Sequence, residues 1–190
     1  MSHLHLKYAR KAFFRFFPPP EFLLMPAVGV DVSDRAVRFI ELKPNKTGFT
    51  IKRFGEQVLP KGVIENGDIK DPATFKTALI ALRKDYDLSF VRVGLPEEKA
   101  FLFRSEVPLL SPEETKETIG FSIEEHVPIS AIDAVYDYTE VPPLFGKISA
   151  GSREVVVSVF PKSIAESYES AFSDAGLTAL SFEIEGSAIA

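Results

Sequence analysis

Residues Val28–Leu42 read Val-Gly-Val-Asp-Val-Ser-Asp-Arg-Ala-Val-Arg-Phe-Ile-Glu-Leu. Val28, Val30 and Val32 recur with period two, which places them on one face of a strand. After a polar break at Ser33–Arg35 a second alternation begins. Val37, Phe39 and Glu41 share one of its faces; Arg38, Ile40 and Leu42 share the other. Two alternations joined by so short a break predict a hairpin. Asp31 stands inside the first apolar run, where a carboxylate is costly to bury without a partner. It is either a turn acid accepting from nearby amides or a group facing the metal and phosphates of a nucleotide. Ser33, Asp34 and Arg35 are the adjoining phosphate-loop candidates.

Composition narrows the chemistry. The chain has 190 residues, no Cys and no Trp, and 17 Phe. Without Cys there is no disulfide framework, thiolate zinc site or thiol nucleophile. A formal net charge of −5 argues against a general nucleic-acid surface. The charge is segregated, because residues 1–17 carry Lys7, Arg10, Lys11 and Arg15 and no acid. On a helix Leu6, Ala9, Phe13, Phe16 and Phe17 share a face, and the cations cluster on another. That pattern suits a helix lying on an anionic membrane surface, or a helix docked on the body through its Phe residues. It is too short and too charged to span a bilayer and lacks the features of a secretory signal. His3 and His5 in this head make no metal site.

Pro18-Pro19-Pro20 ends the head. A third strand is predicted over Phe49–Leu59, with Phe49, Ile51 and Phe54 as its apolar positions. Asn66-Gly67-Asp68 signals a turn. Asp71-Pro72 is a helix start, and Phe75, Ala78, Leu79, Leu82 and Tyr86 give that helix its stripe. Phe90–Leu95 reads as a buried strand. A strand over Ala100–Val107 leads to Ser111-Pro112-Glu113-Glu114, a capping box opening a helix to about His126. Strands at Ala134–Val141 and Glu154–Phe160 follow, the latter buried and central. Ser163-Ile164-Ala165-Glu166 reads as a second capping box, with its helix ending at Gly176. Leu180–Ile184 is the last strand. His126, without a partner cluster, reads as structural. Glu113, Glu114, Glu117, Glu124 and Glu125 read as a solvated helix face with contributions to capping. No Ser/His/Asp set, paired-carboxylate cleft or P-loop is visible.

Three stretches carry a family resemblance: Leu59–Pro72; Gly94-Leu95-Pro96 with Arg104 and Val107-Pro108; and Glu124–Pro128. With the hairpin, they make the chain from Val28 onward resemble the PilM family of type IV pilus assembly, and more distantly the cell-division protein FtsA. The resemblance implies an α/β fold, an actin-like (ribonuclease H-like) amino-terminal half with an inserted α+β subdomain of the SHS2 type. It divides the chain into a head and connector (1–26), a first core subdomain (27–99), the insertion (100–179) and a return to the core (180–190), which reads as an element cut short of the carboxy-terminal half. It implies a cytoplasmic protein peripheral to the bacterial inner membrane, holding the cytoplasmic tail of a PilN-like partner in a groove between core and insertion. It also implies ATP and Mg2+ in a cleft, with Asp31 as an indirect magnesium contact. Two departures bear on that. Ser33 stands where the family usually has Gly, whose backbone approaches phosphate closely. Asp34 adds a second acid beside the phosphates, and the second phosphate loop lies in the other half. A non-enzymatic scaffold is the favoured reading. An ATP-hydrolysing enzyme of the actin and sugar-kinase class, and an FtsA-like division protein, are the alternatives.

Overall fold

A computed structural model of the chain describes residues 28–45, 48–143 and 148–184. The head, with Lys7, Arg10, Lys11, Phe13, Arg15, Phe16 and Phe17, lies outside the described residues. Along the chain run β1 (Val28–Val32), β2 (Ala36–Asn45), β3 (Gly48–Val58), the short β4 (Ile64–Glu65) and β5 (Asp68–Ile69), and helix α1 (Pro72–Tyr86). Then come β6 (Phe90–Leu95), β7 (Phe101–Pro108), α2 (Pro112–His126), β8 (Ala134–Glu140), β9 (Ser152–Pro161), α3 (Lys162–Asp174) and β10 (Thr178–Ile184). Asp71 caps α1 by accepting from the Thr74 N–H, and Ser111 and Glu114 form the reciprocal box at α2.

Two sheets result. The larger has the order β10-β6-β1-β2-β3. The predicted hairpin is its centre: β1 pairs antiparallel with β2 and parallel with β6, which pairs parallel with β10. Val28, Val30, Val37, Phe39, Val91 and Val93 face the helices, joining Phe75, Leu79, Leu82, Tyr168 and Phe172 in one core. The smaller sheet, β7-β9-β8, has β9 in its middle, as the β-branched run predicts. Val155, Val157 and Val159 are buried with Ile119 and Ile123 of α2 in a second core. Each fully buried aliphatic or aromatic side chain contributes on the order of 1.5–3 kcal/mol.

Helix α3, which the strand order groups with the insertion, packs on α1, and its Tyr168 and Phe172 meet Phe75 edge-on at centroid distances of 6.0 and 6.4 Å. A strongly apolar stripe goes to whichever core completes it, and the aromatic partner lies on α1. The second capping box is also absent. Lys162 already belongs to α3, Pro161 is the cap residue, and no side chain caps it. Two residues of a box cannot act from inside the first turn.

The register of β3 shifts against β2 between Glu41 and Leu42. Glu41 pairs with Arg53, and Leu42 pairs with Ile51. Lys52 is thus an extra residue, a β-bulge that flips the alternation beyond it. Phe49 and Ile51 thereby join Phe54 on the same face as Ile40 and Leu42, away from the helices. Phe54 is 71% and Ile51 60% exposed. The sequence alternation marks these three as apolar strand positions but cannot show that they line an open face. At the bulge Glu41 is buried, accepting from Lys52 Nζ at 2.7 Å and from Arg53, whose guanidinium also holds the Tyr86 carbonyl at the end of α1.

Two outcomes follow from this packing. Phe172→Ala should cost about 3–5 kcal/mol, and hydrogen exchange should speed up in β1 and β6 while the α2 side of β9 stays protected. Acceleration confined to β7 and β8 would return α3 to the insertion. The hydrogen bond from Lys52, with Arg53 behind it, holds the Glu41 carboxyl below its ordinary 4.5. That stability is present above the unfolded-state value and lost as pH falls through the folded-state one. Glu41→Gln should therefore be less stable than wild type at pH 7, with the gap narrowing below pH 4.5 in a series of urea titrations.

Candidate functional site

The turn of the hairpin is the candidate phosphate loop, and its polar groups are committed. The Ser33 N–H and hydroxyl both donate to the Ala36 carbonyl at 3.0 Å, and the hydroxyl accepts from the Ala36 N–H at 3.3 Å. The Asp34 carboxylate accepts from the backbone N–H groups of Asn66 at 3.0 Å and Gly67 at 3.3 Å. Arg35 is exposed, and its carbonyl accepts from the Leu59 N–H at 2.8 Å.

Asp31 stands in register with Arg38 on one side and Gly94 on the other. It is half-buried, and none of the described residues donates a hydrogen bond to its carboxylate. Burial pushes its carboxyl above the ordinary value, and Arg38 pulls the other way. A side chain at Gly94 would begin 3.8 Å from Asp31 Oδ1, so glycine keeps that flank open. Asp31, Arg38, Ile40, Phe54 and Glu183 line a cleft of about 910 Å³ on the face of the sheet that carries no helix among the described residues. Asp31 thus faces the cleft, while Ser33 and Asp34 belong to the turn and its latch. The structure does not gather the four candidates around one point.

A magnesium-bound triphosphate needs free donors and cations at such a turn. Here the Ser33 hydroxyl is bound to Ala36, Asp34 occupies the amides of residues 66 and 67, and two carboxylates supply negative charge. The described residues of the turn do not, by themselves, fit the phosphates. Among the described residues no group of three His, Asp or Glu side chains could hold a metal.

The latch leads to the junction between core and insertion. Asn66 and Gly67 have φ of 50° and 75°, the left-handed pair that a two-residue turn between β4 and β5 requires. The Gly67 carbonyl accepts from the buried Tyr168 hydroxyl of α3 at 3.0 Å. Burial raises the Tyr168 phenol far above its ordinary value, and the charges of Asp34, Asp68 and Glu98 push the same way. A Cβ on Gly67 would stand 3.2 Å from both Pro96 and Lys99, the residues leading into the insertion. Lys99 Nζ reaches Asp68 at 3.0 Å. Three segments distant in sequence, at Asp34, Pro96–Lys99 and Tyr168, are therefore pinned at this one turn. The dipeptide Asn66-Gly67 signals the turn, but nothing local to Asp34 or Tyr168 announces their part in it.

The remaining candidates are structural. His126 stacks on Phe103 at 4.2 Å, and its Nδ1 donates to the Ser122 carbonyl at 2.9 Å. Glu114 completes its capping box, and Glu124 accepts from Ser130 and the Ala131 N–H. No helix among the described residues is long and apolar enough to cross a membrane.

Residues 29–190 match the family model described as type IV pilus assembly protein PilM. The chain belongs to the PilM family. No curated protein sequence matches it. Among solved structures, one of a PilM-PilN type IV pilus biogenesis complex superposes with a TM-score of 0.74 at 20% identity, covering 85% of this chain and 48% of that one. The cytoplasmic domain of EpsL, an inner-membrane component of the type II secretion system of Vibrio cholerae, superposes at 0.54 with 11% identity, covering 82% and 56%. The fold is thus the actin-like α/β fold of PilM, and the chain spans about half the length of each of these structures.

Gly67→Ala meets both a left-handed φ and two fixed neighbours, so it should destabilise by more than 1 kcal/mol. Tyr168→Phe strands one carbonyl and should cost about 1–3 kcal/mol. Because both act on the same turn, the double variant in urea denaturation should fall short of the sum.

Proposed function

We propose that this PilM-family chain acts as a non-enzymatic scaffold of the type IV pilus machinery, holding the cytoplasmic tail of a PilN-like inner-membrane protein. The observation that carries this reading is the match over residues 29–190 together with superposition on a PilM from a PilM-PilN complex. Location at the cytoplasmic face of the inner membrane goes with it, since the tail of such a partner is tethered there. The resemblance puts the tail between core and insertion. The Asn66-Gly67 junction supports that placement, because it joins the core, through Asp34 and Tyr168, to Pro96 and Lys99, which lead into the insertion. A preformed groove spares a peptide partner the cost of ordering its receptor.

The scaffold reading is favoured over ATP hydrolysis by the committed polar groups of the hairpin turn. Phosphoryl transfer depends on positioned donors and cations around the transferred group. Ser33 and Asp34 are spent on the Ala36 and Asn66-Gly67 backbone instead.

Isothermal titration against synthetic cytoplasmic tails of PilN-like proteins should give saturable, one-to-one binding. Magnesium-ATP in the same cell should give no comparable heat. Failure of every tail peptide sinks the scaffold reading, and tight nucleotide binding revives the enzymatic one.

A further inference from the structure

The sequence holds two asparagines, Asn45 and Asn66, and only Asn66 is followed by glycine. An Asn-Gly pair is prone to a covalent change that needs no reagent but water. The Gly67 backbone nitrogen attacks Cγ of the Asn66 side chain, and the new N–C bond closes a five-membered succinimide. The side-chain nitrogen leaves as ammonia, taking the proton of the Gly67 N–H. Water then opens the ring at either carbonyl. One opening gives aspartate; the other gives isoaspartate, with the main chain rerouted through Cβ and Cγ. Glycine favours the attack because no Cβ crowds its nitrogen. Asn66 is exposed, so burial does not shield its amide.

We propose that Asn66 is a site of spontaneous deamidation which the turn itself holds closed, with Asp34 as the residue that keeps it closed. Three features of the geometry carry this. The first is backbone conformation. Asn66 has φ of 50°, in the left-handed region where ψ lies near about +47°. There the Gly67 nitrogen points to the opposite side of the Cα–C bond from Cβ, away from the carbon it must attack. Ring closure therefore requires the 66–67 peptide plane to swing round. The second is the tie on that plane. The Asp34 carboxylate accepts from the Asn66 N–H at 3.0 Å and from the Gly67 N–H at 3.3 Å, and the swing breaks the second bond. A carboxylate beside that nitrogen also opposes the negative charge that develops as its proton leaves. The third is the packing of the glycine. Its carbonyl accepts from the buried Tyr168 hydroxyl at 3.0 Å, and Pro96 and Lys99 close on its Cα. Conversion is one-way. Aspartate at 66 sets a second negative charge near Asp34, and isoaspartate adds a main-chain atom to a two-residue turn. Either product loosens the grip that had prevented it.

The full chain and a synthetic peptide spanning residues 61–71 are incubated side by side at neutral pH. Peptide-map mass spectrometry follows the amide-to-acid conversion at residue 66, and an isoaspartyl methyltransferase with labelled S-adenosylmethionine counts the isoaspartate. The folded chain should convert at least about ten-fold more slowly than the peptide, the factor that hydrogen bonds to a charged group are worth. Asp34→Ala should recover most of the peptide's rate, and Tyr168→Phe a smaller part of it. Val157→Ala loosens the second core instead. Compared at urea concentrations that give both variants the same unfolded fraction, it should stay well below the Asp34→Ala rate. The proposal is overturned if the folded chain converts as fast as the peptide, or if Asp34→Ala converts no faster than wild type. It also fails if Val157→Ala matches Asp34→Ala, since global unfolding would then set the rate. Should circular dichroism show Asp34→Ala unfolded, Tyr168→Phe decides, and a wild-type rate there sinks the idea.

Discussion

The turn at Asn66-Gly67 is the constraint on which the arrangement of the molecule depends. It is two residues long and left-handed at both, and it is gripped from three directions. The Asp34 carboxylate takes its N–H groups, the Tyr168 hydroxyl takes its carbonyl, and Pro96 and Lys99 close on the glycine Cα. Each contact alone is an ordinary hydrogen bond or packing contact with a net contribution of about 1 kcal/mol. Their importance is geometric. They join the hairpin tip, α3 and the residues leading into the insertion at one turn.

Much of the fold was legible because its signals are local. The period-two alternation of Val28–Leu42 gives the central hairpin, the side-chain caps at Asp71 and Ser111 give two helix starts, and the β-branched run 155–159 gives the middle strand of the insertion. What escaped was non-local. The bulge at Lys52 exists only in the pairing of β3 with β2, so the parity of Phe49 and Ile51 relative to Phe54 cannot be read along one strand. The allegiance of α3 is decided by Phe75, nearly a hundred residues earlier in the chain, and not by its own stripe. A Ser-x-x-Glu spacing at 163–166 had the right residues one turn too late.

The candidate site illustrates the same limit in its chemistry. Ser33 and Asp34 have the composition of a polar loop that might face an anion, and composition cannot tell whether their groups are free. The structure commits both to backbone partners. Asp34 in particular has the sign of charge that a phosphate would avoid and the position of a structural latch. The hairpin turn is therefore held by interactions that occupy its own polar groups.

Asp31 is different, because nothing in its surroundings requires an acid. Its burial raises the carboxyl, so its charge opposes folding at neutral pH unless something answers it. Its cross-strand neighbour Arg38 is the obvious answer, but Arg38 Nε already donates to Glu56 at 3.2 Å. Arg38 lies between two carboxylates in the cross-strand row Glu56, Arg38, Asp31, Gly94 and Glu183, while Glu183 at the end of the row lies 3.9 Å from Arg92 of the next row. An unpaired charge beside an apolar floor raises the cost of covering that floor with a purely apolar partner, which would desolvate the carboxylate with no return. The same arithmetic disfavours an acidic or uniformly apolar partner at this face.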